Sequence, residues 1–432
     1  MKWKKAVAVV VMVSICSGIL QGCDRQEVLH YFNKTDTAGV DKTVVKENAV
    51  DNSETAESTE KEAALVAQMN AESLKPAEAE STETSLSAEE AFNGQKVTLV
   101  MVGDILLHTP VAESGLQADG SYNFDALFSN VKEEITSADL ALVNEEVIIG
   151  GEELGISGYP SFNAPYELGD ALVNAGFDVV LHATNHALDQ GKKGIKNCLS
   201  FWENKHPKMA VLGINGSKEA QDNAIYLYEQ NGIRIAILNY TYGTNGIALP
   251  SDMPYAVNLL EKEKVITDIA RAKEQADFVV VCPHWGIEYQ LEPSVEQEYW
   301  TQIFAENGVD LVIGTHPHVI EPIEWVDDML VYYSLGNFVN WTASEGDGIA
   351  NRMVGGMAEI TVGKDENGEV FILDYGVEPL VCHLTEGTNG VTTYLLSDYT
   401  EEMAKENAII KQDEAFSKEY CENLCEEVWG ER

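Results

Sequence analysis

Val97-Thr-Leu-Val-Met-Val-Gly103-Asp104-Ile-Leu-Leu-His108 is an apolar run, rich in β-branched residues, that closes on a glycine, an acid and a histidine. Such a run reads as a buried strand over Val97 to Leu107, and the polar residues at its end as the start of a loop. The arrangement recurs. Leu140 to Val143 runs into Asn144-Glu145-Glu146, Val179 to Ala183 into Asn185-His186-Ala-Leu-Asp189, Phe278 to Cys282 into His284-Trp285-Gly286, and Leu311 to Ile313 into His316-Pro317-His318. Amphipathic segments at Phe124 to Ser137, Tyr166 to Ala175, Gly191 to Asn204, Leu259 to Gln275 and Val295 to Glu306 separate most of these runs and read as helices. A short strand at Ala210 to Gly213 completes a βαβαβαβ order. Ala224 to Tyr228 and Ile233 to Asn239 flank Gln230-Asn231-Gly232, a hairpin signal. Strand-like runs then dominate at Leu330 to Ser334, Gly356 to Val362 and Val370 to Tyr375. The class is α/β, and the late strands predict a mixed sandwich of two sheets instead of a simple doubly wound sheet.

In α/β folds the carboxyl ends of the strands open into the crevice where ligands bind. Asp104, Glu146, Asn185, His284, His316 and His318 would all gather there. Imidazole, carboxylate and amide oxygen together suit a borderline-hard divalent metal such as Mn, Fe or Zn. Two such ions can share one carboxylate and acidify a bridging water, so the expected centre holds two. His186, with Asp189 three residues on to orient its ring, fits a general acid; a helix N-terminal hydrogen bond is the plainer alternative. In His316-Pro317-His318 the two imidazoles face one site only if the chain turns, and proline's fixed φ helps to hold a turn.

Lys2, Lys4 and Lys5 precede an apolar stretch from Ala6 to Leu20, the pattern of an export signal over residues 1–22. It ends in Leu20-Gln21-Gly22-Cys23, a lipobox in which Cys23 would carry lipid and anchor the chain to the outer face of the cell membrane. Residues 23–95 are rich in Glu, Ser, Thr and Ala and poor in aromatics, the composition of a disordered acidic tether. A domain over 96–385 and an acidic, helical tail over 386–432 follow. The net charge of -43 makes nucleic acid and anionic surfaces poor partners, and a polyanionic substrate would need a cation to bridge it. Of seven cysteines, those left after Cys16 and Cys23 are widely spaced and form no disulfide framework.

Taken together, Gly103-Asp104 with His108, Asn144-Glu145-Glu146, Asn185-His186-Ala187-Leu188-Asp189-Gln190-Gly191, His284-Trp285-Gly286-Ile287-Glu288-Tyr289, Gly314-Thr315-His316-Pro317-His318-Val319 and Tyr333-Ser334-Leu335-Gly336-Asn337-Phe338 resemble the CapA-like proteins of poly-γ-glutamate capsule synthesis, themselves similar to calcineurin-like metallophosphoesterases. The resemblance covers roughly Val97 to Leu380. It implies a metallophosphoesterase-like β-sandwich flanked by helices. It also implies Asp104, Glu146, Asn185, His284, His316 and His318 as metal-site residues and His186 with Asp189 as the catalytic pair. Three residues instead of one separate Asp104 from His108, and a glutamate stands where an aspartate usually bridges. His108 is thus either a ligand or a pocket residue. Glu288, Tyr289, Asn337 and Arg352 are candidate substrate contacts, Arg352 for a substrate carboxylate. The function implied is a role in capsule or poly-γ-glutamate biosynthesis or processing, as a hydrolase using a metal-activated water. The substrate would be an anionic γ-glutamyl polymer and the partners membrane-embedded capsule synthase or export proteins. A non-catalytic polymer-binding accessory factor and a phosphoesterase are the alternatives.

Overall fold

The computed structural model describes residues 92–385 and 390–430. The expected signal segment, Cys23 and the tether lie outside the described residues. No described helix is long and apolar enough to cross a membrane.

Among the described residues fourteen strands make the frame: β1 (Gln95–Ile105), β2 (Leu140–Glu145), β3 (Val179–Leu181), β4 (Ala210–Leu212), β5 (Tyr226–Gln230), β6 (Ile233–Thr241), β7 (Phe278–His284), β8 (Leu311–Ile313), β9 (Ile323–Val326), β10 (Met329–Tyr332), β11 (Asn337–Val339), β12 (Val354–Lys364), β13 (Val370–Leu384) and β14 (Val391–Leu395). One sheet runs β14-β13-β12-β1-β2-β3-β4 with β11 on the end of β1, and the other runs β5-β6-β7-β8-β10-β9. The two-sheet α/β sandwich expected from the late strands is what the chain forms.

Side-chain alternation builds the layers. Val97, Leu99 and Met101 of β1, Leu140 and Leu142 of β2, and Phe278 and Val280 of β7 fill the space between the sheets. Val100, Val102, Ala141 and Val143 face outward, under helices Tyr166–Ala175 and Gly191–Lys205. On the far side Leu238, Val279 and Val281 pack against helices Lys262–Gln275 and Val295–Glu306. Central strands buried on both faces explain why these runs are apolar almost without interruption. Tyr399, Ile409, Phe416, Cys421 and Leu424 pack into the first of the outer layers, and His383 Nδ1 lies 2.8 Å from the Tyr399 hydroxyl. All five described cysteines are buried and free, and burial pushes Cys198 up to about 12.

The segment Phe124 to Ser137 is not one helix. It splits into a 3-10 turn, Asp125–Leu127, and a helix, Lys132–Ser137. A continuous helix would give the Ala126 carbonyl to the Asn130 N–H; the Thr392 hydroxyl takes it instead at 2.7 Å, and Asn130 Nδ2 donates to the same hydroxyl at 2.9 Å. The apolar spacing that suggested a helix survives, because Phe124, Leu127, Phe128, Val131 and Ile135 are all buried.

Helix Val295–Glu306 begins at a capping box between Ser294 and Gln297. The Gln297 amide also donates to Glu321, which is fully buried and has no partner on Oε1 among the described residues. Burial raises this carboxyl to about 8. The fold therefore binds this proton more tightly than the unfolded chain, so the stability it contributes is full below about 4.5 and is lost as pH rises through about 8. Glu321→Gln, a neutral isostere, should match the wild type near pH 4.5 and exceed it by about 2–3 kcal/mol at pH 7. Denaturant melts at both pH values check this, and equal stability at pH 7 would contradict it.

Candidate metal centre

Strand geometry delivers the ligands. Residues 97, 99 and 101 of β1 face the interior, so a regular strand would turn Asp104 outward. A register shift between Val102 and Asp104 reverses this and pairs Asp104 with Asn144 of β2. Gly103 permits it: a Cβ there would sit 1.9 Å from the Gly336 carbonyl oxygen, which accepts from the Asp104 N–H at 3.0 Å. Asn144 Nδ2 then donates to Asp104 Oδ1 at 2.8 Å. Glu145 is fully buried near Cys198 and belongs to neither group of candidate ligands, though its charge adds to the burial that raises Glu146.

His284 closes β7 on the interior side. Its Nδ1 lies 3.0 Å from Thr315 Oγ1, and its Nε2 lies 2.9 Å from Asn185 Oδ1 and 3.7 Å from Glu146 Oε1. The expected turn at His316-Pro317-His318 is present, and it is made by the histidines themselves: φ is 105° at His316 and 60° at His318. Tyr289, at φ 67°, donates its N–H to the Pro317 carbonyl at 2.7 Å. With Asn245, four of the six described non-glycine residues in the left-handed region border this site. Each such bulky residue costs on the order of 1–3 kcal/mol, so strain has been concentrated where the side chains must converge.

The result is two ligand groups that share one carboxylate. Asp104, Glu146 and His284 form one, and Glu146, His316 and His318 the other, each with its ligand atoms within 4.8 Å of one another. Asn185 lies against His284, so all six expected metal-site residues are brought together. The fit to a cation is electrostatic as well as geometric. Both Glu146 oxygens and His316 Nδ1 are buried without a hydrogen-bond partner among the described residues. Burial, then the charge of Asp104, raises the Glu146 carboxyl far above its ordinary range. Burial holds His284 and His316 well below theirs, so both imidazoles are neutral and able to ligate.

His186 stands beside the shared glutamate. Its Nδ1 is 2.7 Å from Asp189 Oδ2, and its Nε2 is 4.0 Å from Glu146 Oε1. The same Asp189 oxygen accepts the Phe162 N–H at 2.7 Å, which holds the carboxylate in place. His108 is in neither ligand group. Its ring lies edge-on to Phe162, and burial with the nearby His318, His186 and Arg352 lowers it to about 4.

The candidate substrate contacts separate. Glu288 and Tyr289 are exposed at the rim and Arg352 lies against Tyr289. Asn337 is 1% exposed: its Oδ1 meets His318 Nδ1 at 3.1 Å, and its Nδ2 donates to the carbonyls of His318 and Arg352. Its amide orients His318 instead of facing the pocket. Tyr242, Asn245 and Thr315 also reach the site. Tyr242 packs 4.7 Å from the His316 ring, while Asn245 bridges the Asn185 amide at 3.3 Å and the His186 ring at 3.4 Å. The run Ile233 to Tyr242 ends in Gly243-Thr244-Asn245, a sixth polar cluster after a strand and the signal for Tyr242 and Asn245; Thr315 stands inside the Gly314-Thr315-His316 motif.

The family model described as bacterial capsule synthesis protein PGA_cap matches residues 98–342. The capsule biosynthesis protein CapA of Bacillus anthracis is 29% identical over 265 residues, covering 58% of this chain and 62% of that protein. The PGA biosynthesis protein CapA of Bacillus subtilis (strain 168) is 35% identical over 175 residues, covering 40% and 45%. The match thus spans less than two thirds of either relative's length. Among solved structures, a putative 5'-nucleotidase from Staphylococcus aureus is 15% identical with a TM-score of 0.42, covering 65% of this chain and 54% of its own. The calcineurin-like phosphoesterase YfkN from Bacillus subtilis is 14% identical with a TM-score of 0.38, covering 76% and 99%.

Proposed function

Because the chain belongs to the family of bacterial capsule synthesis proteins, we propose that it is a metal-dependent hydrolase that cleaves γ-glutamyl amide bonds of a capsular polymer. The observation that carries this reading is Glu146, a buried carboxylate with no hydrogen-bond partner on either oxygen among the described residues, shared by two groups of ligands. Asp104, Glu146, Asn185, His284, His316 and His318 would hold two divalent ions. When bound, such ions supply Lewis acidity and bring the pKa of water toward neutrality.

The remaining work falls to the chain itself. Asp189 accepts the Nδ1 proton of His186, which leaves Nε2 facing the cluster. As a water oxygen bonds to the carbonyl carbon and the C–N bond breaks, a proton carried on Nε2 passes to the leaving amine nitrogen, and the acyl half leaves as a carboxylate. Thr315 and Asn337 fix the rings of His284 and His318 through their Nδ1 atoms. Phe162, packed edge-on 4.7 Å from the His186 ring, limits water on that side. The reading also places the chain at the outer face of the membrane through lipid on Cys23, beside membrane-embedded synthase or export proteins, as the lipobox suggests.

The test is release of new amines from a γ-linked glutamyl oligomer by the full chain supplied with Mn²⁺ or Zn²⁺. Metal-dependent cleavage that chelation abolishes is expected. Cleavage of simple phosphodiesters with the oligomer left intact would contradict the proposal in favour of phosphoester chemistry. Cleavage of neither would favour a polymer-binding accessory role.

A further inference from the structure

Arg352 lies beside the centre, and its guanidinium carbon is 3.5 Å from the centroid of the Tyr289 ring. Tyr289 in turn packs 6.0 Å from the His318 ring. In a chain of net charge -43, a cation beside so many acids would be expected to pair with one. Among the described residues Arg352 has no carboxylate within salt-bridge reach. Among those residues its side chain hydrogen-bonds from Nη1 to Thr342 Oγ1 at 3.3 Å, and its Nε is buried without a partner. Leaving a buried guanidinium donor unmet is costly, and contact with an aromatic ring 3.5 Å away restricts where the fork can go. Glu288, the adjacent acid, is turned out to solvent and bonds to Tyr289 instead.

We propose that the Arg352–Tyr289 stack is a specificity subsite that takes a carboxylate of the substrate and holds it beside the bond to be cleaved. The inference rests on the hydrolase reading above and names what that reading leaves open: a substrate with a free carboxylate on the residue next to the scissile amide. Planar, bidentate pairing suits a guanidinium to a carboxylate. The net charge of -43 repels an acidic polymer in general, and this cation, together with metal, offsets that repulsion at the site. Neutral polymers gain nothing from it.

The test compares a γ-linked glutamyl oligomer bearing free α-carboxylates with the same oligomer carrying α-carboxamides, using the full chain with Mn²⁺. Wild type should favour the free acid in kcat/KM by at least about tenfold, the scale of one charged hydrogen-bonded pair. Arg352→Gln should reduce that preference to within about threefold, with the loss in KM, and Arg352→Lys should restore part of it. The side chain can be changed without touching the carbonyl that Asn337 and Asn340 use, so the local fold has its own support. Tyr289→Leu removes the stack but keeps the charge and should raise KM for the acid alone. An undiminished preference in Arg352→Gln would overturn the subsite. If wild type cleaves neither oligomer, the hydrolase reading fails by itself. Calorimetric binding of the acid oligomer, at least about tenfold weaker in Arg352→Gln, would then still support the subsite, and equal affinity would overturn it. Inorganic phosphate binding that Arg352→Gln weakens, with oligomer binding unchanged, would assign the cation to phosphate and contradict the carboxylate.

Discussion

Glu146→Gln should make the metal-free protein more stable and, in the same molecule, abolish its stabilisation by Mn²⁺. The carboxyl is fully buried, both oxygens lack hydrogen-bond partners among the described residues, and Asp104 lies close enough to oppose its ionisation. Without a cation this group is a liability, and an amide of the same shape removes it, for a gain of about 1–3 kcal/mol. With a cation the same carboxylate is the shared ligand of both groups. Wild type should therefore gain about 4 kcal/mol when metal is present at a thousand times its Kd, whereas the variant should gain little. Melts with and without metal separate the two terms. A variant less stable than wild type without metal, or equally stabilised by it, would show that Glu146 is structural.

His186→Ala should lower turnover by about 10²–10⁴-fold while metal content and KM stay near wild type. Its ring is tied to Asp189 at 2.7 Å and faces the cluster from 4.0 Å, outside both ligand groups. Retained turnover would return His186 and Asp189 to a local hydrogen bond, the plainer reading of that pair. Loss of metal along with turnover would instead make His186 a ligand.

The sites that could be read from sequence share a physical cause. Asp104, Glu146, Asn185, His284, His316 and His318 follow apolar runs, and parallel strands deliver their carboxyl ends to one edge whatever the loops do. Helices Tyr166–Ala175 and Val295–Glu306 are legible to the residue because local signals bound them, Pro165 and Gly176 for the first, Ser294 and Asn307-Gly308 for the second. What could not be read depended on contacts distant in sequence. The bulge that turns Asp104 inward exists because Gly336, over two hundred residues away, approaches Gly103. The break in the Phe124 to Ser137 segment depends on Thr392. Asn337 suggested a substrate contact, yet β11 buries it against His318. Proline pointed to the turn at 316–318, but the left-handed backbone of both histidines is held by the surrounding structure, including the Tyr289 bond to Pro317.

Elemental analysis of the purified full chain under metal-replete conditions, beside an Asn185→Ala, His316→Ala double variant, tests the shared-carboxylate centre most directly. About two divalent ions per chain, lost in the variant, is the result expected of two ligand groups joined at Glu146. A chain that takes up no metal would contradict the centre and leave the cluster as a polar binding crevice.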